Sequence, residues 1–236
     1  MPNSYFAFKQ FQVDFCSDVF RLGTDACFLG AYAKAEHPKR ILDIGTGTGV
    51  IALMLAQRFP EAQIVALDAS EAAADCAKQN FLRSPFAARL QSIHTNLQEL
   101  EPSENFDLIV SNPPFFQNSF PAPEPSRHLA RHNDELSDDD LLTGVKAFLT
   151  DAGSFWVILP FDRKANFLTA AKKHGFFLCE QVSLHDKPTR PPKRVVLELR
   201  KQDSVVTTAT LWWLKTASGE YNDTTKQLWQ DFYLNL

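Results

Sequence analysis

The segment from residue 40 to residue 59 constrains the fold more than any other part of this sequence. Arg40–Ile44 is a short hydrophobic stretch that predicts a buried strand, and a turn containing Gly45, Gly47 and Gly49 follows it. Residues 50–59 have helical spacing and end before a proline. A strand, a glycine-rich turn and a helix in this order bring a ligand against the backbone N–H groups at the start of the helix. We therefore expect an α/β fold with a ligand site at this turn.

The acidic residues around the glycine turn favour one class of ligand. Residues 63–67 predict a second strand that ends in Asp68, where a carboxylate can accept hydrogen bonds from both hydroxyls of a ribose. The dinucleotide fingerprint G-x-G-x-x-G is not matched, because Val50 stands where its third glycine would be. Asp43 would repel a diphosphate and attract an ammonium group. The pattern favours a nucleoside with an amino-acid tail, S-adenosylmethionine, over a structural turn that binds no ligand.

A second turn, residues 112–115, follows the apolar strand predicted at residues 106–110. Pro113 and Pro114 exclude helix and strand pairing, so the chain leaves the sheet there in a stiff turn. The side-chain carbonyl of Asn112 and the backbone carbonyl of Pro113 can accept hydrogen bonds from an NH₂ group, and Phe115 can stack on a planar ring. These groups suit the amino edge of adenine. The alternative is a proline-rich loop with a capping asparagine.

The remaining pattern predicts a doubly wound sheet. Residues 89–95 indicate a third strand, and Asn96 at its exit either contacts the cofactor's adenine or caps the next turn. Further strands are expected at residues 153–159, 176–184 and 194–199, the last two as an antiparallel edge hairpin. We therefore expect a Rossmann-like, mostly parallel seven-stranded sheet with helices on both faces.

Charge and cysteine content restrict the partners and the compartment. The net charge is −4, but residues 186–201 hold six basic residues against two acidic ones, which indicates either phosphate contacts or a soluble surface. The four cysteines form no C-x-x-C pair, so reduced thiols in a cytosolic protein are expected. His128 and His132 lack the cysteines of a zinc finger, and no metal site is predicted. We also see no secretory signal and no apolar run long enough to cross a membrane.

The two turns together resemble a known group of enzymes. Residues 43–49 (DIGTGTG), Asp68 and residues 112–115 (NPPF) resemble class I S-adenosylmethionine-dependent methyltransferases that act on exocyclic amines. Residues 8–11 (FKQF), 22–26 (LGTDA), 130–132 (ARH) and 192–194 (PKR) are similar to motifs of the bacterial tRNA1(Val) adenine-N6 methyltransferase family. The resemblance implies methyl transfer to N6 of an adenine in the anticodon stem-loop of a tRNA, by a cytoplasmic monomer. Many relatives carry an acid where Asn96 stands.

The resemblance also implies a domain plan and residue roles. It implies one methyltransferase domain, with an N-terminal cap at residues 1–38, a catalytic core at 39–201 and a packed extension at 202–236. The implied catalytic residues are Asn112, Pro113, Pro114 and Phe115. The implied cofactor residues are Thr24, Asp25, Asp43, Gly45, Gly47, Gly49, Asp68 and Asn96, although Thr24 and Asp25 could instead cap a helix. The implied RNA contacts are Arg127, Arg131, His132, Lys193 and Arg194.

Three other functions fit parts of this pattern. A protein-glutamine methyltransferase uses a similar turn, but such relatives usually have tyrosine in place of Phe115 and a helical domain ahead of the glycine turn. A ribosomal-RNA guanine-N2 methyltransferase shares the phenylalanine. A non-catalytic RNA-binding or assembly factor could keep the same fold.

Overall fold

The computed structural model describes residues 4–17, 19, 22–101, 105–113, 136–203 and 208–235. The strands are β1 (Tyr5–Ala7), β2 (Gln12–Asp14), β3 (Arg40–Ile44), β4 (Gln63–Asp68), β5 (Leu90–His94), β6 (Phe106–Ser111), β7 (Leu149–Pro160), β8 (Phe177–His185), β9 (Arg194–Arg200) and β10 (Thr208–Trp213). The α-helices are α1 (Thr24–Tyr32), α2 (Val50–Arg58), α3 (Glu71–Arg83), α4 (Asp138–Phe148), α5 (Lys164–Lys173) and α6 (Asp223–Trp229).

One twisted sheet carries most of the strands. Its order is β10-β8-β9-β7-β6-β3-β4-β5, while β1 and β2 form a separate antiparallel hairpin. The five strands from β7 to β5 run parallel to one another, and β9 runs antiparallel to both of its neighbours. The carboxyl ends of the parallel strands therefore lie together at one edge, where open α/β sheets bind ligands.

Apolar cores cover both faces of this sheet. Leu108 and Val110 of β6 pack in one core with α1 and α2, and Ile109 packs in a second core with α4 and α5. Side chains alternate between the faces along a strand, so a strand covered on both faces needs a continuous apolar sequence. The expected fold class, mostly parallel with helices on both faces, is confirmed.

The sheet differs from the expectation at its C-terminal side. It has eight strands in the described residues rather than seven, because β10 pairs in parallel with β8. The β8–β9 pair is antiparallel, as expected. It is not at the edge of the sheet, because β10 lies outside it. The ring of Trp212 in β10 packs on Phe28 and Tyr32 of α1, and Trp229 donates its indole N–H to the carbonyl of Cys27. The aromatic C-terminal segment thus both extends the sheet and packs on α1.

A disulfide connects the N-terminal hairpin to α3. Cys16 and Cys76 are bonded with their Cα atoms 6.0 Å apart, whereas Cys27 and Cys179 are free and buried. The expectation of reduced thiols throughout is therefore wrong for this pair. The backbone N–H and C=O of Asp14 bond to the side chain of Asn80, one turn beyond Cys76 on α3, and this contact brings Cys16 to its partner.

Two features are absent from the described ranges. None of their helices is both long enough and apolar enough to cross a membrane. Within the same ranges, no group of three or more His, Cys, Asp or Glu side chains is arranged to hold a metal ion. His128 and His132 lie outside the described residues.

Candidate cofactor and acceptor site

The carboxyl ends of β3, β4, β5 and β6 open into a single cavity of about 840 Å³. This volume is in the range of small-molecule sites. The structure brings together eight of the predicted site residues, which line the cavity: Asp25, Gly45, Gly47, Asp68, Asn96, Asn112, Pro113 and Arg194. The glycine turn and the Asn-Pro turn, 65 residues apart between Gly47 and Asn112, therefore share one space.

Thr24, Asp43, Gly49 and Lys193 are not among the lining residues. Pro114, Phe115, Arg127, Arg131 and His132 fall in the segment 114–135, outside the described residues.

The glycine turn has a backbone that only glycine adopts readily. Gly45, Gly47 and Gly49 have φ angles of +72°, +57° and +82°. A Cβ atom at Gly45 or Gly47 would meet no described atom within 4 Å, so it would project into open space. At Gly49 a Cβ would come 2.5 Å from the ring of Phe81. The first two glycines thus leave the backbone open to a ligand, and the third lets the turn pack on α3.

Asp68 lines the cavity, and two backbone N–H groups hold its carboxylate in place. Its Oδ2 accepts a hydrogen bond of 2.9 Å from the N–H of Gly47, and its Oδ1 accepts one of 2.9 Å from Ser70. Each carboxylate oxygen has a further lone pair, so both can still accept a hydroxyl. Both oxygens are therefore open to a ligand hydroxyl, and a ribose as that ligand stays a prediction.

Asp43 lies beneath the glycine turn and is completely buried. Its Oδ2 accepts the hydroxyl of Thr46 at 2.7 Å, while its Oδ1 has no hydrogen-bond partner. Burial raises the pKa of this carboxyl to about 7; the bond from Thr46 and the nearby backbone N–H of Ala52 oppose the rise, and the charge of Asp68 adds to it. Asp43 therefore acts on the cavity through Thr46, which does line it.

Glu99, which the sequence patterns do not single out, lies just after β5. The amide nitrogen of Asn96 lies 3.4 Å from the carboxylate of Glu99, and Glu99 lines the cavity. Asn96 is the N-cap residue of the short 3₁₀ helix Leu97–Glu99, but its side chain makes no capping hydrogen bond there. The sequence offers one signal for Glu99: it is an acid three residues after Asn96, the position where many relatives carry an acid.

A hydrogen bond connects the strand before the Asn-Pro turn to the strand before the glycine turn. Ser111, at the end of β6, is buried and donates its hydroxyl to the carbonyl of Ile44 at 3.0 Å. Ile44 precedes the glycine turn, and Asn112 follows Ser111. One side-chain hydrogen bond thus connects the two strands immediately before both functional turns.

Asp25 and Arg194 form an ion pair at the cavity. α1 begins at Thr24 with Gly23 as its N-cap and no side-chain capping bond, so the capping interpretation of Thr24 and Asp25 is wrong. Instead, Arg194 Nε donates to Asp25 Oδ2 at 2.7 Å. The sequence resemblance assigns Asp25 to the cofactor and Arg194 to RNA, whereas the structure joins the two side chains by a hydrogen bond.

The basic residues of the segment 186–201 lie at two opposite ends of the sheet, because β9 runs from one end to the other. Arg194 pairs with Pro160 at the carboxyl end of β7, whereas Arg200 lies at the opposite end of the sheet. There Arg200 forms an ion pair with Glu198, and Lys201 donates to the carbonyl of Leu149. Arg200 and Lys201 therefore lie away from the cavity, and a phosphate contact by these two residues stays a prediction.

Comparison with known proteins identifies the family. Residues 7–171 match the family model of the methyltransferase small domain. A protein of Bacteroides thetaiotaomicron is 39% identical over 237 residues and covers 100% of both chains, and one of Pedobacter heparinus is 40% identical over 97% of both. Each is named tRNA1(Val) (adenine(37)-N6)-methyltransferase. The chain belongs to this family.

Membership of the tRNA1(Val) (adenine(37)-N6)-methyltransferase family makes the chain an enzyme that transfers methyl groups. Solved structures support the fold of this family member. A predicted O-methyltransferase from Agrobacterium tumefaciens has a TM-score of 0.68 at 19% identity, with 90% of this chain and all of that chain covered. The glycopeptide N-methyltransferase MtfA, complexed with S-adenosyl-L-methionine, has a TM-score of 0.57 at 11% identity, covering 78% of this chain and 96% of that one. At these identities the likeness concerns the fold alone.

Proposed function

We propose that the chain transfers a methyl group from S-adenosylmethionine to the exocyclic N6 amine of an adenine in tRNA, namely adenine 37 of tRNA1(Val). The relatives' names supply the substrate and the position. The observation that carries the proposal is the single cavity shared by the glycine turn, Asp68, Asn112 and Pro113.

The cofactor residues act on different parts of S-adenosylmethionine. Asp68 accepts hydrogen bonds from the two ribose hydroxyls, and the backbone of Gly45 and Gly47 approaches the ligand closely. Asn96 and Glu99 face the adenine edge of the cofactor, where an amide and a carboxylate can pair with its ring nitrogen and amine. Asp43 holds Thr46 and so shapes the turn at the amino-acid end. All of these residues except Asp43 line one cavity, and Asp43 acts through Thr46, which does line it; these positions support the assignment.

The chemistry depends on positioning a poor nucleophile. The lone pair of adenine N6 is delocalised into the ring, so the amine must be reoriented before it attacks. The side-chain oxygen of Asn112 and the carbonyl of Pro113 accept its two N–H groups, which draws the nitrogen toward tetrahedral geometry and directs its lone pair. S-adenosylmethionine bound in this cavity would supply a sulfonium-activated methyl group, with the C–S bond breaking and its electrons passing to sulfur as the C–N bond forms. The methylated nitrogen then loses a proton to water.

The RNA partner is the anticodon stem-loop of the tRNA, and the target base leaves the loop stack to enter the cavity. Phe115 stacks on this base, and Lys193, Arg194, Arg127, Arg131 and His132 contact the surrounding RNA. We propose that the enzyme works in the cytoplasm as a monomer and as one domain. That domain comprises the cap at residues 1–38, the core at 39–201 and the extension at 202–236. No observation favours the glutamine, guanine-N2 or non-catalytic alternatives.

A two-part assay tests the proposed function. Purified enzyme and labelled cofactor are incubated with total tRNA, ribosomal RNA, a cellular protein fraction and a tRNA1(Val) transcript, and the methylated product is mapped. We expect N6-methyladenine at position 37 of the transcript, and none when that adenine is replaced by guanine. Label in ribosomal RNA or protein alone would contradict the proposal.

The second part concerns Asn112. The change Asn112→Ala removes one of the two acceptors for the amine, so we expect kcat to fall by about 10²-fold or more with cofactor affinity unchanged. Calorimetry with S-adenosylmethionine provides the control, because it reports an intact cofactor site independently of turnover. Retained turnover in this variant would remove Asn112 from the catalytic role.

A further inference from the structure

The order of strands separates a cofactor side from an acceptor side. Apart from Thr24 and Asp25 on α1, the candidate cofactor residues lie in or directly after β3, β4 and β5, and Asn112 follows β6. Arg194 opens β9, which lies two strands beyond β6 in the opposite direction. With neighbouring strands about 4.8 Å apart, Arg194 lies roughly 10 Å from the end of β6 and roughly 14 Å from that of β3. The backbone of Arg194 is therefore closer to the acceptor turn than to the glycine turn.

The guanidinium of Arg194 is held in a fixed orientation. Its Nε donates to Asp25 Oδ2 at 2.7 Å, and its Nη1 donates to the carbonyl of Lys193 at 3.1 Å. Lys193 is itself fixed, since its N–H bonds to the carbonyl of Leu184 and its carbonyl also accepts the N–H of Phe161. These bonds use two of the five N–H donors of the guanidinium. Arg194 and Asp25 keep about a third of their side-chain surface exposed, 36% and 33%, at the cavity.

We propose that Asp25 is a positioning residue for the RNA substrate: it holds Arg194 so that the guanidinium binds the phosphodiester beside the target nucleotide. The inference rests on the proposed function and deepens it. A fixed planar guanidinium pairs with two oxygens of a phosphate at once, and less conformational entropy is lost when its orientation is set beforehand. The carboxylate of the cofactor's methionine offers the same oxyanion chemistry, but the strand order places it on the β3 side.

Arg200 provides a matched control. It lies on the same strand as Arg194 and pairs through its own Nε with Glu198 at 2.7 Å, but at the opposite end of the sheet. The variants are Asp25→Asn, Arg194→Gln, their combination, and Arg200→Gln. Each is assayed for kcat and for KM of the tRNA transcript over a range of salt concentrations, and for cofactor affinity by calorimetry.

We expect Asp25→Asn and Arg194→Gln each to raise the KM for tRNA about tenfold, with kcat at saturating tRNA and cofactor affinity unchanged. Arg194→Gln should also reduce the slope of log KM against log salt by about one, because one phosphate contact is lost. The combined variant should be no worse than Arg194→Gln, since Asp25 acts only through that residue. Arg200→Gln should behave as the wild type.

Four outcomes separate the possible explanations. An unchanged KM for tRNA in Asp25→Asn would overturn the inference, as would fully additive effects in the combined variant. Weaker cofactor binding in Arg194→Gln would also overturn it, since the oxyanion would then be the methionine carboxylate. A wild-type enzyme that methylates no tRNA would refute the proposed function instead. A general loss of structure would not reproduce the change in salt slope, which belongs to a phosphate contact.

Discussion

Replacing Asp43 with asparagine should stabilise the protein above neutral pH and destabilise it in acid. The carboxyl is fully buried, and its Oδ1 has no hydrogen-bond partner. Burial raises its pKa from an ordinary value of 3.8 to about 7. In the window between these values the folded state keeps a proton that the unfolded chain has released. Stability therefore falls as pH rises through this window, by about 1.4 kcal/mol per unit and about 4 kcal/mol in all.

Asparagine removes this titration at a cost of its own. Its side-chain oxygen can still accept the hydroxyl of Thr46, but its NH₂ would occupy the position where Oδ1 has no partner, which costs about 2 kcal/mol. The net expectation is a variant about 2 kcal/mol more stable than the wild type at pH about 8 and less stable by a similar amount at pH about 4.

Urea unfolding of both proteins, at intervals from pH about 4 to about 8, measures the difference in unfolding free energy. Taking the difference cancels the titrating groups that do not interact with Asp43, so its pH dependence reports Asp43 and its coupling to Asp68. The reasoning is refuted if the difference does not change with pH, because the carboxyl would then titrate in the folded state as it does in the unfolded chain.

Three further changes test other parts of the site. Asp68→Ala should weaken cofactor binding by about tenfold or more, since two ribose hydroxyls lose their acceptor; an unchanged dissociation constant would contradict the ribose assignment. Ser111→Ala should lower kcat with little change in the cofactor's dissociation constant. Ser154→Ala, which removes a similar buried bond to the carbonyl of Lys34 at 3.2 Å, should not; equal effects would mean that Ser111 has no positioning role. Unreduced protein, denatured and titrated with a thiol reagent, should show two thiols, and reduction should cost about 4 kcal/mol of stability for this 60-residue loop; four thiols would contradict the Cys16–Cys76 bond.

The central part of the fold could be predicted from local sequence. The β3–glycine turn–α2 unit, Asp68 at the end of β4 and the Asn-Pro turn after β6 each depend on neighbouring residues, and the structure has them where they were expected. β10 was not predicted. Its sequence, TATLWW, contains two tryptophans that indicate packing, and nothing local indicates that it pairs with β8.

The parts of the site that were missed depend on contacts between distant residues. The bond between Asp25 and Arg194 spans 169 positions, and no spacing rule could pair them. The disulfide joins cysteines 60 positions apart, and connectivity of that kind cannot be read from a sequence. Glu99 was overlooked because an acid on a short 3₁₀ helix carries no motif until the chain folds it against the cavity.

The position of β6 between the two halves of the sheet has a consequence for how the enzyme can change. The methyl-donor determinants follow strands on one side of it, and the acceptor determinants follow β6 itself and β9 on the other side. Mutations at Asp68 should therefore combine with those at Arg194 by simple addition of their free energies. Substrate preference could then drift during evolution while the machinery for the methyl donor stays intact. The hydroxyl of Ser111 joins β6 to β3, so mutations at this residue should not combine additively with those on either side.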